Sequence, residues 1–444
     1  MKLWSKSGTQ TASAVEAFTV GRDKDFDAML APFDVLGSIA HTKMLGAVGL
    51  LQEAETVALV KALQNIYTEV KKPDFVIPNH VEDIHSFVEL LLTERLGETG
   101  KKIHSARSRN DQVLVDIKLF LRHEIKELIT VIHSFFDLLQ AQSEQYKDYL
   151  LPGYTHLQLA MPSSFGLWFG AYAESLADDI IQLQAAYQVV NKNPLGSAAG
   201  YGSSFPIDRQ QTTDLLGFET LNYNVVYAQM GRGKTERIVA TAIAAVADTL
   251  ARLSMDACLY LNQNFDFISF PAHLTTGSSI MPHKKNPDVF ELIRAYCNRL
   301  KTLPNEIMMM TTNLPSGYQR DLQLVKEHIF PAFDELKKCI EMAGLMLSNI
   351  TIKKDLVKDE KYKYMFSVEE VNKLVMQGVP FRDAYKQIGD AIEKERFTYD
   401  TAIKHTHIGS IGNLCNLEIA KQMQKTIAQF NFEKTEAKLA SLLT

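Results

Sequence analysis

The feature that most constrains the fold is a long stretch without helix breakers, because residues 101–151 contain no glycine and no proline. Within this stretch apolar residues recur at steps near three and four, which is typical of the buried seam of a helix in a bundle. A helix of about 35 residues would span about 50 Å. Such a rod is long for a compact monomer, so we expect it to pack against other chains. The seam consists of Leu114, Ile117, Leu121, Ile125, Leu128, Ile132, Phe135 and Leu139.

Further long helical patterns follow this stretch. One covers about residues 163–190 and another about residues 233–270. A fourth is interrupted at Pro304, and a fifth begins near Asp321 and is perturbed by Pro331. Together with the first, these patterns predict a central bundle of about five long helices.

Shorter helical patterns flank the predicted bundle on both sides. On the N-terminal side they cover residues 36–55, 57–70 and 87–96. We find no βαβ alternation, no alternating strand pattern of useful length and no internal repeat. The sequence therefore predicts an all-α fold of three helical domains, with boundaries at residues 1–106, 107–359 and 360–444.

Charge and composition exclude several functional classes. The chain has 47 basic and 52 acidic residues, a net charge of -5, and no basic tail, so neither a nucleic-acid nor a membrane partner is indicated. No apolar run approaches the ~18 residues of a membrane span. Residues 1–10 lack the apolar region of a secretory signal. Four scattered cysteines show no metal-type spacing. We therefore expect a cytoplasmic protein.

One polar cluster lies at the start of the longest helical pattern, in residues 104–113. Arg107 and Arg109 flank Ser108, and Asn110 follows. Two guanidinium groups, a hydroxyl and an amide are suited to binding a carboxylate. The alternative interpretation is an ordinary capped and solvated helix start.

Two further clusters mark other helix ends. In residues 152–162, Thr155 and His156 lie between two prolines, where a histidine can act as a general acid or base. In residues 315–328, Tyr318, Gln323 and Lys326 are separated by helical steps and can share a face. Taken singly, a polar turn histidine and an ordinary helix N-terminus are the commoner explanations of these two clusters.

The fourth cluster is a loop that leads into a helix. Gly277, Ser278 and Ser279 open the loop, and Lys284 and Asn286 follow between two prolines. Helix N-termini favour anions, because backbone N–H groups and the helix dipole both point there. A solvated basic surface loop is the alternative.

The four clusters together indicate a site for a substrate with carboxylates. Each contains donors or cations suited to that group. None contains a metal-binding triad, a nucleophile elbow or a phosphate-binding loop. The GxG-like strings in residues 200–202 and 231–233 lack a preceding strand and are weak signals for a dinucleotide. We therefore expect no metal and no cofactor.

The motifs resemble a known enzyme family. Residues 277–287, GSSIMPHKKNP, match the GSSxMPxKxNP loop of the fumarase/aspartase superfamily. Residues 108–112, SRNDQ, and residues 153–158, GYTHLQ, resemble motifs of the argininosuccinate lyases within it. The resemblance covers nearly the whole chain. It implies the β-elimination of argininosuccinate to fumarate and arginine, a step of arginine biosynthesis.

The resemblance also implies roles for individual residues. Ser278 would remove the proton from the succinyl group, and His156 would serve the leaving guanidinium with Glu291 as its carboxylate partner. Which of Ser278 and His156 is the base stays open from the sequence, and we favour Ser278. Lys284 and Asn286 would hold a substrate carboxylate during proton loss. The succinyl part would bind Ser108, Arg109, Asn110 and Thr155, and the arginine part would bind Tyr318, Gln323 and Lys326.

Members of this superfamily are homotetramers with a core of twenty helices, and each active site takes clusters from three chains. That assembly would explain the long helices. Two departures concern the arginine end. Asp23 stands where the family has a serine that contacts the substrate, and residues 222–229 differ from the family's acidic segment.

Two alternative functions follow from the same residues. One is a related superfamily lyase that acts on another substituted succinate, which the departures leave room for. The other is a non-catalytic helical protein, like the lens crystallins of this fold. The retention of Ser278, His156, Lys284 and Asn286 argues against the second alternative.

Overall fold

A computed structural model describes residues 13–78, 80–403 and 405–444, and shows a predominantly helical chain. Residues 1–10, in which the sequence shows no secretory signal, lie outside the described residues. The α-helices before the bundle and at its start are α1 Ser13–Val20, α2 Asp23–Ala47, α3 Glu53–Val70, α4 Ile84–Leu96, α5 Glu98–Lys101, α6 Arg109–Gln145, α7 Phe165–Val190, α8 Arg209–Leu215 and α9 Val225–Met230. The remaining ones are α10 Lys234–Leu261, α11 Asp288–Leu300, α12 Leu303–Met310, α13 Val325–Ser348, α14 Ser367–Met376, α15 Phe381–Glu393, α16 Asn416–Ala428 and α17 Phe432–Ala440.

Helix α6 confirms the prediction from the breaker-free stretch. It has 37 residues and buries the predicted apolar seam. The helix begins where Ser108 and Asp111 form a capping box, which satisfies two of the free N–H groups at its first turn. It packs mainly against α7 and α2. At 1.5 Å per residue it is about 55 Å long.

The bundle consists of α6, α7, α10, α11 and α13, whose apolar residues share one hydrophobic core. The predicted helix in residues 233–270 ends earlier, at Leu261, and its last residues lead to a short strand. The predicted interruption near Pro304 is confirmed, because this proline lies in the first turn of α12. Pro331 lies inside α13, as predicted.

A β-hairpin between α6 and α7 contradicts the expectation of no useful strands. Strand β1, Leu150–Thr155, pairs antiparallel with β2, Gln158–Ser164. Prolines are normally excluded from strand interiors, so Pro152 and Pro162 hid the pattern. The two prolines face each other in the register, which shifts between Pro152 and Tyr154. Four shorter strands are β3 Lys192–Asn193, β4 Thr220–Leu221, β5 Ile268–Ser269 and β6 Thr351–Ile352.

The helix expected in residues 36–55 has different bounds. Helix α2 starts 13 residues earlier, at Asp23, and ends at Ala47. It runs through Pro32, which the sequence pattern treats as a breaker. A turn with Gly49 at φ +79° then leads into α3. The earlier start matters because it places Asp23 and Asp27 on a helix that borders the candidate site.

Two hydrophobic cores form in the described part of the chain. The larger core fills the bundle, and the smaller one joins α2, α3 and α4. Leu442, near the C-terminus, belongs to the smaller core, and the Gln64 side chain donates to its carbonyl. The end of the chain therefore returns to the N-terminal helices. The division at residues 106 and 359 stays a prediction.

Helix α10 is long and apolar enough to cross a membrane by length and composition, with a mean hydropathy of 1.5 over its most apolar window. The sequence predicted no membrane span here, because the stretch has no uninterrupted apolar run of that length. Of that window, 56% is buried inside the fold. Alanines such as Ala240, Ala247 and Ala257 are buried against neighbouring helices. This is the pattern of a core helix of a bundle.

Candidate active site

The N-terminus of α6 is fixed by buried hydrogen bonds. The Oγ of Ser108 accepts from the N–H of Asn110, and the Asp111 carboxylate accepts from the N–H of Ser108. The second Asp111 oxygen accepts from the N–H groups of Gly196 and Ala198. Burial raises the pKa of Asp111 to about 6 despite these donors. The carboxylate thus ties the glycine-rich segment to the helix start.

Arg109 is held by acidic residues at the start of α4. Its guanidinium lies 3.0 Å from Asp83 and 3.4 Å from Glu82, and it donates to the Ser86 hydroxyl. Asp83 also caps α4 by accepting from the N–H of Ser86. A guanidinium clamped in this way keeps one orientation, which a binding site for a planar carboxylate requires.

Lys326 is a buried cation between two carboxylates of α2. Its Nζ lies 2.5 Å from Asp27 and 2.7 Å from Asp23. Burial by itself lowers the pKa of Lys326, but the two carboxylates outweigh burial and raise the pKa above its ordinary value. Burial raises the pKa of Asp23 to about 6, against the opposing influence of Lys326. Asp23 stands where the family has a serine. It therefore adds a second carboxylate to the contacts of Lys326.

A pocket of about 170 Å³ joins these groups. Gln323 belongs to its wall and donates to the carbonyls of Thr19 and Val20. The ionisable lining has four acids and four permanently charged bases, so both signs of charge are presented to a ligand. The lining residues are Val20, Asp23, Asp27, Glu82, Asp83, His85, Arg109, Asn110, Val113, Arg232, Tyr318, Arg320, Gln323 and Lys326.

His85 lines the pocket and belongs to a buried acidic cluster. Its Nδ1 is 2.5 Å from Asp34 and 3.7 Å from Asp116. Burial lowers the pKa of His85, but Asp34, Asp116 and Asp83 outweigh it and raise the pKa to about 9. Burial and the neighbouring Asp34 raise the pKa of Asp116 well above its ordinary value. A protonated His85 is the counter-charge of this cluster.

The same three residues have the composition of a metal site. The ligand atoms of Asp34, His85 and Asp116 all lie within 4.8 Å of one another. One Asp34 oxygen and both Asp116 oxygens have no hydrogen-bond partner among the described residues. However, a hydrogen bond to Asp34 already occupies His85 Nδ1. A protonated His85 offsets part of the negative charge of this cluster.

We expect His85→Gln to destabilise the protein by about 3–5 kcal/mol near neutral pH, because two buried carboxylates lose their counter-charge. The stability that His85 contributes to the wild type is fully present below pH 6.5. It is lost as the pH rises through about 9, where His85 deprotonates. The variant regains stability in acid as the buried Asp116 carboxylate, whose pKa is raised well above its ordinary value, takes up a proton. The stability deficit of the variant should therefore be greatest near pH 6.5, and it should fall both in acid and as the pH rises through about 9.

Urea unfolding of both proteins across the pH range measures this deficit. Lys118, whose pKa burial lowers to about 7, contributes the opposite pH trend, but it is common to both proteins and cancels in the comparison. A deficit that is small, or constant from about pH 5 to about pH 10, would contradict the assigned charge of His85.

Ser278 lies in a loop whose neck is closed by a bridge between Thr276 and Asn286. The Asn286 side chain also donates to the Gly277 carbonyl. The Oγ of Ser278 accepts from the N–H groups of Ile280 at 3.3 Å and Met281 at 3.1 Å. Two backbone donors stabilise negative charge on this oxygen. Lys284 lies in the same loop, exposed to solvent.

His156 lies at the tip of the β1–β2 hairpin. His156 and Leu157 both have positive φ, 54° and 58°, in the two-residue connection that joins Thr155 to Gln158. Such a turn matches the twist of a hairpin and projects its residues away from the fold. His156 and Thr155 are exposed. Glu291 is also exposed, on the first turn of α11.

The structure thus divides the sequence-predicted residues into groups. Arg109, Asn110, Tyr318, Gln323 and Lys326 line one pocket. Ser108 caps the helix that carries two of them. The other predicted residues do not line this pocket: Ser278, Lys284 and Asn286 lie on one loop, Thr155 and His156 on the hairpin, and Glu291 on α11.

Sequence reasoning assigned no role to several pocket residues. Arg232 is buried, pairs with Glu236 at 3.1 Å and donates to the Leu322 carbonyl. It belongs to a GxG-like string that was considered only as a nucleotide motif. Asp27 and His85 lie in the part of the chain that the family resemblance covers, but the sequence around neither residue indicates which charge its side chain would meet.

Comparisons with known proteins identify relatives of this chain. Residues 5–301 match the family model described as Lyase. Argininosuccinate lyase from Bacteroides fragilis is 58% identical over 442 residues, covering 100% of this chain and 99% of that protein. Argininosuccinate lyase from Thermotoga neapolitana is 35% identical over 395 residues, covering 89% of this chain and 99% of that protein.

Solved structures show the same fold. A crystal structure of EDDS lyase in complex with formate has a TM-score of 0.75 at 21% identity and covers 98% of this chain and 93% of that one. A class II fumarase from Schistosoma mansoni has a TM-score of 0.69 at 15% identity and covers 93% of this chain and 95% of that one. The matches over nearly the whole length show that this chain belongs to the argininosuccinate lyase family and is a lyase.

Proposed function

We propose that the chain cleaves argininosuccinate into fumarate and arginine by β-elimination. The observation that carries the proposal is the pocket of about 170 Å³, which is lined by Lys326, Asp23, Asp27, Arg109 and Asn110. Argininosuccinate has carboxylates at both ends and an ammonium group at the arginine end. A pocket that presents both signs of charge is complementary to such a ligand.

Ser278 is the proposed base. The proton next to a carboxylate is hard to remove unless the developing charge meets fixed donors. The N–H groups of Ile280 and Met281 support an alkoxide on Ser278, and Lys284 in the same loop adds a positive charge. Lys284 and Asn286 hold the substrate carboxylate that receives the negative charge from the reacting carbon.

His156 is the proposed acid. A guanidine leaves readily only when it departs protonated, and an imidazole can deliver that proton near neutral pH. Glu291 is the proposed carboxylate partner that orients the ring. Ser108, Arg109, Asn110 and Thr155 bind the succinyl part, and Tyr318, Gln323 and Lys326 bind the arginine part. The chain's own side chains supply every proton transfer in this scheme, so the scheme uses no metal or cofactor.

The separation of the residue groups supports a composite active site in a homotetramer. Ser278 and His156 do not line the pocket that holds Arg109 and Lys326, so a complete site needs the loop and hairpin of other copies. The bundle helices also expose large apolar side chains, as expected of subunit interfaces. These are Ile181, Met255, Leu292, Tyr296, Met342 and Leu345.

The proposed assembly packs the five bundle helices of four chains into a core of twenty. The predicted domains at residues 1–106, 107–359 and 360–444 would then place the long helices at the centre. We propose further that the enzyme is cytoplasmic, makes no contact with nucleic acid or membranes, and serves arginine biosynthesis.

The activity is tested by following fumarate absorbance after argininosuccinate is added to the purified enzyme. We expect turnover of about 1 s⁻¹ or faster, the usual range for enzymes. Coupled measurement of arginine should give one arginine per fumarate. No fumarate above the background of a Ser278→Ala preparation would reject the proposed reaction.

Asp23 gives a specific reason to test a second substrate class. An additional carboxylate on Lys326 changes the charge at the end of the pocket that would receive the arginine part. A lyase for another N-substituted succinate would release fumarate faster from that compound than from argininosuccinate. A panel of substituted succinates in the same assay distinguishes the two functions.

A further inference from the structure

A second cavity adjoins the candidate active site at the N-terminus of α10. It has a volume of about 250 Å³ and lies between the start of this helix and the segment that follows α12. The active-site pocket has acidic and basic walls, whereas this cavity has three cationic lining residues and no acidic one in the described part of the chain. Arg232 is the one residue common to both linings. Neither the proposed reaction nor the family resemblance assigns a ligand to this cavity.

Two of the cations that line the cavity, Lys234 and Arg237, have no acidic partner. They lie at the start of α10, three positions apart, so they share one face of the helix. Lys234 is exposed and Arg237 is half-buried. Among the described residues, no carboxylate lies within salt-bridge distance of either side chain. The Lys234 ammonium instead lies 5.3 Å from the centre of the Tyr227 ring. Two positive charges of the cavity are therefore not neutralised.

Cations without a counter-charge are unfavourable at this end of a helix. The N-terminus of a helix carries a partial positive charge, which favours anions and disfavours cations. The acid in the first turn of α10, Glu236, is already engaged. It is buried, and it accepts from the Nε of Arg232 and from the N–H of Gly233. Because Glu236 does not line the cavity, an anion inside the cavity is needed to offset the exposed charges.

Arg232 adds a positive charge from the buried side of the cavity. Its side chain is only 3% exposed. The Nε pairs with Glu236, and the Nη2 donates to the Leu322 carbonyl. The third nitrogen, Nη1, has no hydrogen-bond partner among the described residues and is not fully enclosed. Buried polar groups are normally paired, so this wall has a donor left for a ligand.

We propose that this cavity is an anion site separate from the active site, and that it binds a phosphate group. A phosphate group carries about −1.5 to −2 charges near pH 7, which matches the two cations that have no acidic partner. Its tetrahedral oxygens contact cations that approach from different sides, whereas a planar carboxylate prefers one guanidinium edge. The backbone N–H groups at the start of α10 favour the same ligand.

Titration calorimetry with inorganic phosphate on the intact enzyme, at constant ionic strength, tests this site. We expect saturable binding of one phosphate per chain. Acetate has one charge and a planar group, and it should bind at least about tenfold more weakly. Glycerol 3-phosphate distinguishes the two sources of the ligand. Tighter binding than inorganic phosphate assigns the site to a phosphate ester, and weaker binding assigns it to the free ion.

Three variants locate the binding. The double variant Lys234→Gln/Arg237→Gln should weaken phosphate binding at least about tenfold. Arg252→Gln removes another exposed cation of α10, about four turns further along the helix, and should bind phosphate like the wild type. Arg109→Met removes a guanidinium from the active-site pocket and should also retain phosphate binding. Thermal unfolding of each free variant verifies that it is folded.

Phosphate binding that survives in the double variant and is lost in Arg109→Met would place the ligand in the active site and overturn the proposal. Equal affinity for acetate and phosphate would overturn the chemistry of the ligand. If the double variant does not fold, Lys234→Gln alone replaces it, and unchanged phosphate affinity in that variant would equally count against the site.

Discussion

Replacing Ser278 with alanine is expected to lower kcat by about two to four orders of magnitude, which is the usual contribution of a positioned general base. The Oγ of Ser278 is the only atom of this side chain that can accept the proton. Its two backbone donors, Ile280 and Met281, stay in place when the oxygen is removed. The substrate should still bind, because the groups proposed to hold its carboxylates are unchanged. Kinetics of fumarate release measure kcat and KM separately.

The neighbouring serine offers a matched control. Ser279 belongs to the same loop and is exposed. Ser279→Ala should change kcat by no more than about twofold, the usual range for a surface substitution. If the two alanine variants lost activity equally, the loop would matter as a whole and Ser278 would not be its reactive residue.

Isotope exchange separates the proposed base from the proposed acid. Removal of the succinyl proton precedes departure of the guanidine if the elimination is stepwise. His156→Asn should then still exchange that proton with D₂O while fumarate release is lost. Ser278→Ala should lose both. The reverse pattern would exchange the two roles.

The helices were predictable because their signals are local. A breaker-free stretch and a seam at helical spacing specify α6 with little help from the rest of the chain. The β1–β2 hairpin was not predictable in this way, since Pro152 and Pro162 contradict the usual composition of strands. Only the pairing of the two strands across the turn at His156 accounts for them. The early start of α2 also depends on tertiary packing, because Phe26 and Leu30 belong to the core of the bundle.

The candidate site was likewise predictable only in part. Residue types and motifs indicated Arg109, Asn110, Gln323 and Lys326, and the fold brings them to one pocket. The partners that set their charge come from distant parts of the sequence. Lys326 meets a carboxylate of α2 that lies about 300 positions earlier in the chain. No local pattern encodes such a pairing, which arises only when the bundle packs.

The largest qualitative effect is expected when two inactive variants are mixed. Arg109→Met removes a guanidinium from the pocket, and Ser278→Ala removes the proposed base from the loop. Each variant on its own should be nearly inactive. In hybrids of the proposed tetramer, a site that takes Arg109 from one chain and Ser278 from another can contain both intact residues. Random assembly of equal amounts makes about a quarter of the sites complete.

The control mixes Ser278→Ala with Lys284→Met. Both residues lie in the loop closed by Thr276 and Asn286, so any site takes both from the same chain and no hybrid contains a complete loop. Co-expression with two different affinity tags isolates the hybrids, and fumarate release measures their activity. Recovery in the first mixture and none in the second would place the pocket and the loop of each site on different chains. No recovery in purified Arg109→Met/Ser278→Ala hybrids would mean that one chain supplies both groups, and that the loop must move to reach its own pocket.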